Sequence, residues 1–160
     1  MGKSGVSLHW GGLDKALGRA TGKLGNTQAL MESVGDALVS GTMKRFDEKK
    51  DPKGKPWKPS RRALEDGGET LTDSGRLRRS IDYAATSNKV MVGSNLAYAQ
   101  KGGEIKPKKA KKLVFKDSDG KTVAVDAVTI PARPYLGVSK EDMEEVKSTM
   151  ADFLAGAFKA

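Results

Sequence analysis

The chain contains no cysteine, which excludes disulfides and thiolate metal sites. Its single histidine, His9, lies in a glycine-rich stretch with no spaced carboxylate or nucleophile beside it. Neither a paired-histidine metal motif nor a histidine acid–base site can be built from that. No apolar run approaches the ~18 residues needed to span a membrane. The opening MGKSGVSLHWGG has no apolar core of signal-peptide length, so the expectation is a soluble, cytosolic protein. Apolar residues of all kinds make up 37% and aromatics only 6%. A chain of 160 residues with so thin an apolar share fits one domain with a modest core, plus loops or arms ordered by partners.

Short motifs that imitate known sites fail on their chemistry. Gly2-Lys3-Ser4 ends like a phosphate-binding loop but lacks the upstream glycine and the strand that would aim it. Val6 stands where the myristoylation pattern needs Ser or Thr. Asp117-Ser118-Asp119-Gly120 is a turn too short in ligands for calcium, which takes its oxygens from a loop of about twelve residues. No nucleophile elbow appears. The expectation is therefore no enzyme, no metal and no cofactor.

What the chain has instead is glycine and positive charge. Its 19 glycines exceed the usual share of roughly 7%. Lys and Arg total 29 against 20 acids, a net charge of +9 that favours polyanions or acidic protein surfaces. The densest basic run is KPKKAKK, with Lys106, Lys108, Lys109, Lys111 and Lys112. It reads either as a solvated loop or as a finger touching phosphate or an acidic neighbouring subunit. With no aromatics interleaved, base stacking is not available and any DNA contact is sequence-independent. A second cluster, Arg76, Arg78 and Arg79, is either the solvent face of a short helix or a second contact patch.

Periodicity predicts an α+β fold: an antiparallel sheet or hairpin packed with a long helix in the N-terminal half and a C-terminal helix, with extended loops. Residues 1–25 read as a flexible or partly helical arm, because Leu13, Ala16, Leu17, Ala20 and Leu24 keep helical spacing while glycines interrupt it. Residues 26–160 read as a single domain, with a basic loop-hairpin insertion at about 101–130. Leu30, Val34, Ala37, Leu38, Gly41 and Phe46 predict a helix over Asn26 to Lys49, which KKDPKGKPWKPS then stops. In that proline-rich loop Trp57 reads as an anchor onto the core. LTDSGRLRRSI predicts a short helix, capped by Asp73 or Ser74, that runs into a strand over Lys89 to Gly93. Leu113 to Phe115 and Thr122 to Thr129 predict a hairpin. Ser139 with Asp142 three residues on predicts the start of a final helix whose apolar face is Met143, Val146, Met150, Phe153, Leu154 and Ala157.

Between the last strand and that helix lies IPARPYLGVS. Pro131 and Pro134 fix their own φ and hold Ile130 and Arg133 out of the helical region, making a stiff elbow. Tyr135 and Leu136 are expected to reach back to the core. Arg133 is expected either to pair with Glu141 or Asp142 or to face a neighbouring subunit.

Four landmarks, Phe46 with DPKGKPWKP, then LTDSGRLRRSI, VMVGSNLAYA and IPARPYLGVSKED, resemble in residues and order the phage virion morphogenesis, or tail completion, family of Mu-like and related tailed phages. The resemblance implies a non-enzymatic structural protein at the head–tail junction, assembled in the host cytoplasm and retained in the neck or tail of the virion. It implies a homo-oligomer, such as a hexameric ring, that meets neck, connector or tail-tube proteins. Tyr98 belongs to the third landmark as a structural anchor. The competing class is a basic DNA-binding module without sequence specificity.

One outcome follows from the lysine run. If the run is a contact finger, replacing Lys108, Lys109, Lys111 and Lys112 by Gln is expected to lower particle yield with the melting temperature nearly unchanged, whereas an unaltered yield makes it a solvated loop. If the run grips DNA, the salt slope of binding falls by about one unit per lost phosphate contact.

Overall fold

The computed structural model describes residues 4–8, 27–96, 104–105, 112–116 and 119–159. The apolar stripe expected after Asn26 folds as helix α1, Thr27–Glu48. Its buried side is Leu30, Met31, Val34, Gly35, Leu38, Thr42, Arg45 and Phe46. Thr42 and Arg45 are polar, and counting apolar residues passes over them. The helix ends where Lys49 turns into the left-handed region at φ 57° and the Lys50 N–H still reaches the Arg45 carbonyl at 3.2 Å.

The main sheet is antiparallel, in the order β1-β3-β2. Strands β2, Ile81–Thr86, and β3, Lys89–Ser94, form a hairpin in which Ile81, Val90, Val92 and Ser94 are buried. Strand β1, Ser4–Leu8, lies along the other edge of β3 with Val6 opposite Val92. No strand was expected there, because a glycine-rich segment gives no alternation long enough to read. Its pairing comes from backbone groups offered by β3. The frayed helix expected around Leu13 to Leu24 lies outside the described residues.

The helix expected from LTDSGRLRRSI shrinks to one turn. Helix α2 spans Arg61–Glu65 and is capped by Ser60, whereas α3 is only Arg76–Arg79. Gly75 takes the cap position at φ 71° with no side-chain cap bond, in place of Asp73 or Ser74. The leucine–isoleucine spacing that suggested more helix belongs to two elements, since Ile81 begins β2. From that residue on, pairing with β3 meets one edge of the backbone in register, and an isolated helical turn offers no such partner.

Two smaller pairs complete the sheets. Strand β4, Glu104–Ile105, pairs with β7, Val128–Thr129, and β5, Leu113–Lys116, pairs with β6, Thr122–Val125. The strand expected over Thr122 to Thr129 is thus split at Asp126 and Ala127, and its halves serve different partners. The final helix α4, Lys140–Lys159, starts as expected: the Asp142 N–H donates to Ser139 Oγ at 3.0 Å and the Ser139 N–H to Asp142 Oδ2 at 2.7 Å. It packs on α1 through Val146 and Met150, both buried. The fold is α+β: α1 packs on a small antiparallel sheet, and α4 packs on α1.

Gly35 sets how closely α1 approaches the sheet. A Cβ built there would fall 2.3 Å from Cδ2 of Tyr83 on β2. Gly35→Ala should therefore destabilise by about 1–3 kcal/mol through overpacking, although alanine is the better helix former by about 1 kcal/mol. In a Tyr83→Ala background the same change should become neutral or stabilising in urea melts.

Candidate functional site

The elbow and the proline-rich loop, far apart in sequence, are fastened to each other. Prolines carry no N–H, so such segments have more carbonyl acceptors than donors and need donors from elsewhere. Trp57 and Arg133 supply them. The Trp57 indole N–H donates to the Pro134 carbonyl at 2.8 Å. Arg133 donates from Nε to the Lys58 carbonyl at 2.6 Å and from a terminal nitrogen to the Pro59 carbonyl at 3.1 Å. Tyr135 is buried against Phe46, and the Phe46 ring meets Trp57 edge-on at 5.5 Å. Aromatics from three segments thus make one cluster.

The loop itself is ordered from within. Asp51 Oδ1 accepts from the Lys53 and Lys55 N–H groups, both at 2.8 Å, and Gly54 closes the turn at φ 79°. Gly137, at φ 152°, leaves room for Pro52, whose Cγ would lie 2.6 Å from a Cβ there. Pro131 and Leu136 are half-buried beside this contact, and Pro134 is exposed.

Arg133 does not pair with the acids at the start of α4. Glu141 bonds to Lys44 at 2.7 Å, and Asp142 is held by Arg45. The proline loop's bare carbonyls lie nearer to the elbow than either carboxylate is free to serve it. Lys44 in turn holds the Glu141 carboxyl below its ordinary range, by hydrogen bond first and by charge second.

Arg45 is the centre of the site. It reaches from the buried side of α1 and donates from Nε to the Tyr135 carbonyl at 3.0 Å. One terminal nitrogen bonds to Asp142 Oδ2; the other donates to Thr42 Oγ1 at 2.8 Å and to the Gly137 carbonyl at 3.0 Å. Side-chain exposure is 6% for Arg45 and 4% for Asp142, so the pair is out of water and must be fully bonded. Gly41, one turn earlier, makes the space: a Cβ there would fall 1.9 Å from Asp142 Oδ1. This node was missed in the sequence because arginine inside an apolar stripe reads as an interruption. Its signal was the pairing of that arginine with an acid at a helix-capping position.

The basic candidates divide. Arg78 pairs with Asp47 at 2.7 Å, and Arg79 donates to the Ser74 carbonyl at 2.7 Å, so both serve local structure. Arg76 is exposed on α3. Lys112 is exposed just before β5. Tyr98, Lys106, Lys108, Lys109 and Lys111 lie outside the described residues. Beside the Arg45 node a cleft of about 510 Å³ is lined by Lys44, Lys50, Lys53 and Lys140 together with Glu48 and Asp51. Its charges are mixed. Among the described residues no group of three His, Cys, Asp or Glu side chains could hold a metal, and no helix is long and apolar enough to cross a membrane.

Removing one partner of the buried pair tests the node. Asp142→Ala strands the Arg45 charge and should cost about 3–5 kcal/mol of stability in urea titration. Lys44→Ala, which breaks only exposed pairs, with Glu141 and with Glu48, should change stability by no more than about 1 kcal/mol.

Trp57, Arg133, Pro134, Tyr135, Gly137 and Asp142 come from the landmarks of the proline-rich loop and the elbow, whereas Gly41, Thr42 and Arg45 lie just before the first of them. A comparison with family models matches residues 8–155 to the phage virion morphogenesis family. No match was found among curated proteins, and none among solved structures. With nearly its whole length matched, the chain belongs to the phage virion morphogenesis family, and its role lies in building a phage particle.

Proposed function

We propose that the chain is a non-enzymatic structural subunit at the phage head–tail junction, acting as one copy in a closed ring beneath or around the neck. The observation that carries this reading is the clasp. Two stiff, proline-bearing segments are bonded to each other, and the elbow is bonded to a buried ion pair, giving a preorganised surface next to the last helix. A rigid surface loses little entropy when neighbours assemble on it, which suits a joining piece. The outer face of Arg133 and the exposed Pro134 lie on that surface, where a neighbouring subunit or a connector or tail-tube protein would meet them.

The reading as a DNA-binding module is weaker on geometry. The helix that carries Arg76, Arg78 and Arg79 is a single turn, and two of these three arginines are bonded within the chain. Base readout needs side chains free to reach a groove edge. A phage from which this gene is cleanly deleted is expected to accumulate filled heads and separate tails, seen by electron microscopy. Normal yields of joined, infectious particles would overturn the head–tail role.

A further inference from the structure

The β5–β6 hairpin presents an exposed, lysine-bearing face centred on Val114. Alternation and register put Lys112, Val114, Lys116, Thr122 and Ala124 on one side, and all five are exposed, Val114 at 64%. None of the hairpin's described side chains joins the core cluster or packs against it. A two-stranded hairpin is marginal in water by itself, so contact with a further surface would stabilise it. That surface must accept a small apolar centre flanked by lysines.

The chain carries such a surface elsewhere. Between α1 and α4 runs a groove of about 520 Å³ floored by small residues, Ser33, Ala37, Ser40, Gly41 and Thr149. Its rims carry Asp36, Glu141 and Glu145, with Lys44 the one base among its lining residues. The acidic field continues toward β2. Burial, and next the neighbouring Asp36, hold the Tyr83 hydroxyl above its ordinary range, with Glu32 and Asp82 adding to the effect. In a chain of net charge +9, this groove is of opposite sign to the hairpin.

We propose that the exposed face of the β5–β6 hairpin of one copy seats in the α1–α4 groove of the next copy, apolar centre on the small-residue floor and lysines against the acidic rims. The contact is head-to-tail, so it propagates around a ring when the rotation closes. It rests on the reading of the chain as a ring subunit and names the surfaces that join. DNA fits the same lysines less well, since phosphate would leave Val114 in water.

Sedimentation velocity on the full chain tests this through charge exchange. Lys112→Glu with Lys116→Glu, and separately Asp36→Lys with Glu145→Lys, should each weaken self-association about tenfold or more. Val114→Asp should do the same. All of these sites are exposed, and unchanged circular-dichroism melts establish that the variants are folded. Mixing the two charge-reversed proteins should restore assembly, because each then offers what the other lacks. Oligomers that survive both reversals, or charge reversals that fail to rescue each other, would overturn the contact while leaving the head–tail role to stand or fall on the deletion phenotype. A wild-type chain that stays monomeric at every concentration overturns it as well. So does loss of DNA retention on filters with the oligomer intact, which would make the hairpin a nucleic-acid surface.

Discussion

The Arg45 guanidinium is the constraint on which the rest of the molecule depends. It enters the core from α1, where water cannot solvate it, so its charge and donors must all be met by protein. They are met by the capping carboxylate of α4, by a hydroxyl one turn back on α1, and by two carbonyls of the elbow. One side chain therefore fixes the crossing of the two long helices and the path of the segment that joins sheet to helix. Planar geometry makes this possible, because a lysine in the same place could not spread its donors to three segments at once. The absence of a side chain at Gly41 is as necessary, since the carboxylate occupies the volume a Cβ would take.

Around that node the proline-rich loop and the elbow stiffen each other. Each is short of hydrogen-bond donors for the same reason, and each finds one in the other: an indole N–H runs one way and an arginine fork runs back. The Phe46, Trp57 and Tyr135 rings fill the space between them. Much of the order in this small domain thus lies in loops, which compensates for a core limited by the low apolar content. A surface held in this way is formed in advance, so little entropy would be lost on contact with it.

The same economy leaves other parts of the chain unfinished. The β5–β6 hairpin exposes Val114 between two lysines, and the groove between α1 and α4 has small residues where a larger side chain could have closed it. Membership in the phage virion morphogenesis family gives both features a context, since subunits of a particle complete their surfaces against neighbours.

By itself the sequence determined the long helix α1, the capped start of α4, the β5–β6 hairpin and the buried role of Trp57, because each is signalled by local chemistry: apolar spacing, an S-x-x-D box, turn residues, and an aromatic among prolines. The family landmarks were legible for the same reason. The tertiary structure alone decided the β1 pairing, the division of β6 from β7, and the start of β2 at Ile81, since strand partners lie beyond the reach of local signals. It also decided where the arginines go. Arg133 and Arg45 are chemically identical, and either could have served the acids of α4. Only the fold, by burying Arg45 beside Gly41 and setting Arg133 over the bare carbonyls of Lys58 and Pro59, assigns one to the carboxylate and the other to the loop.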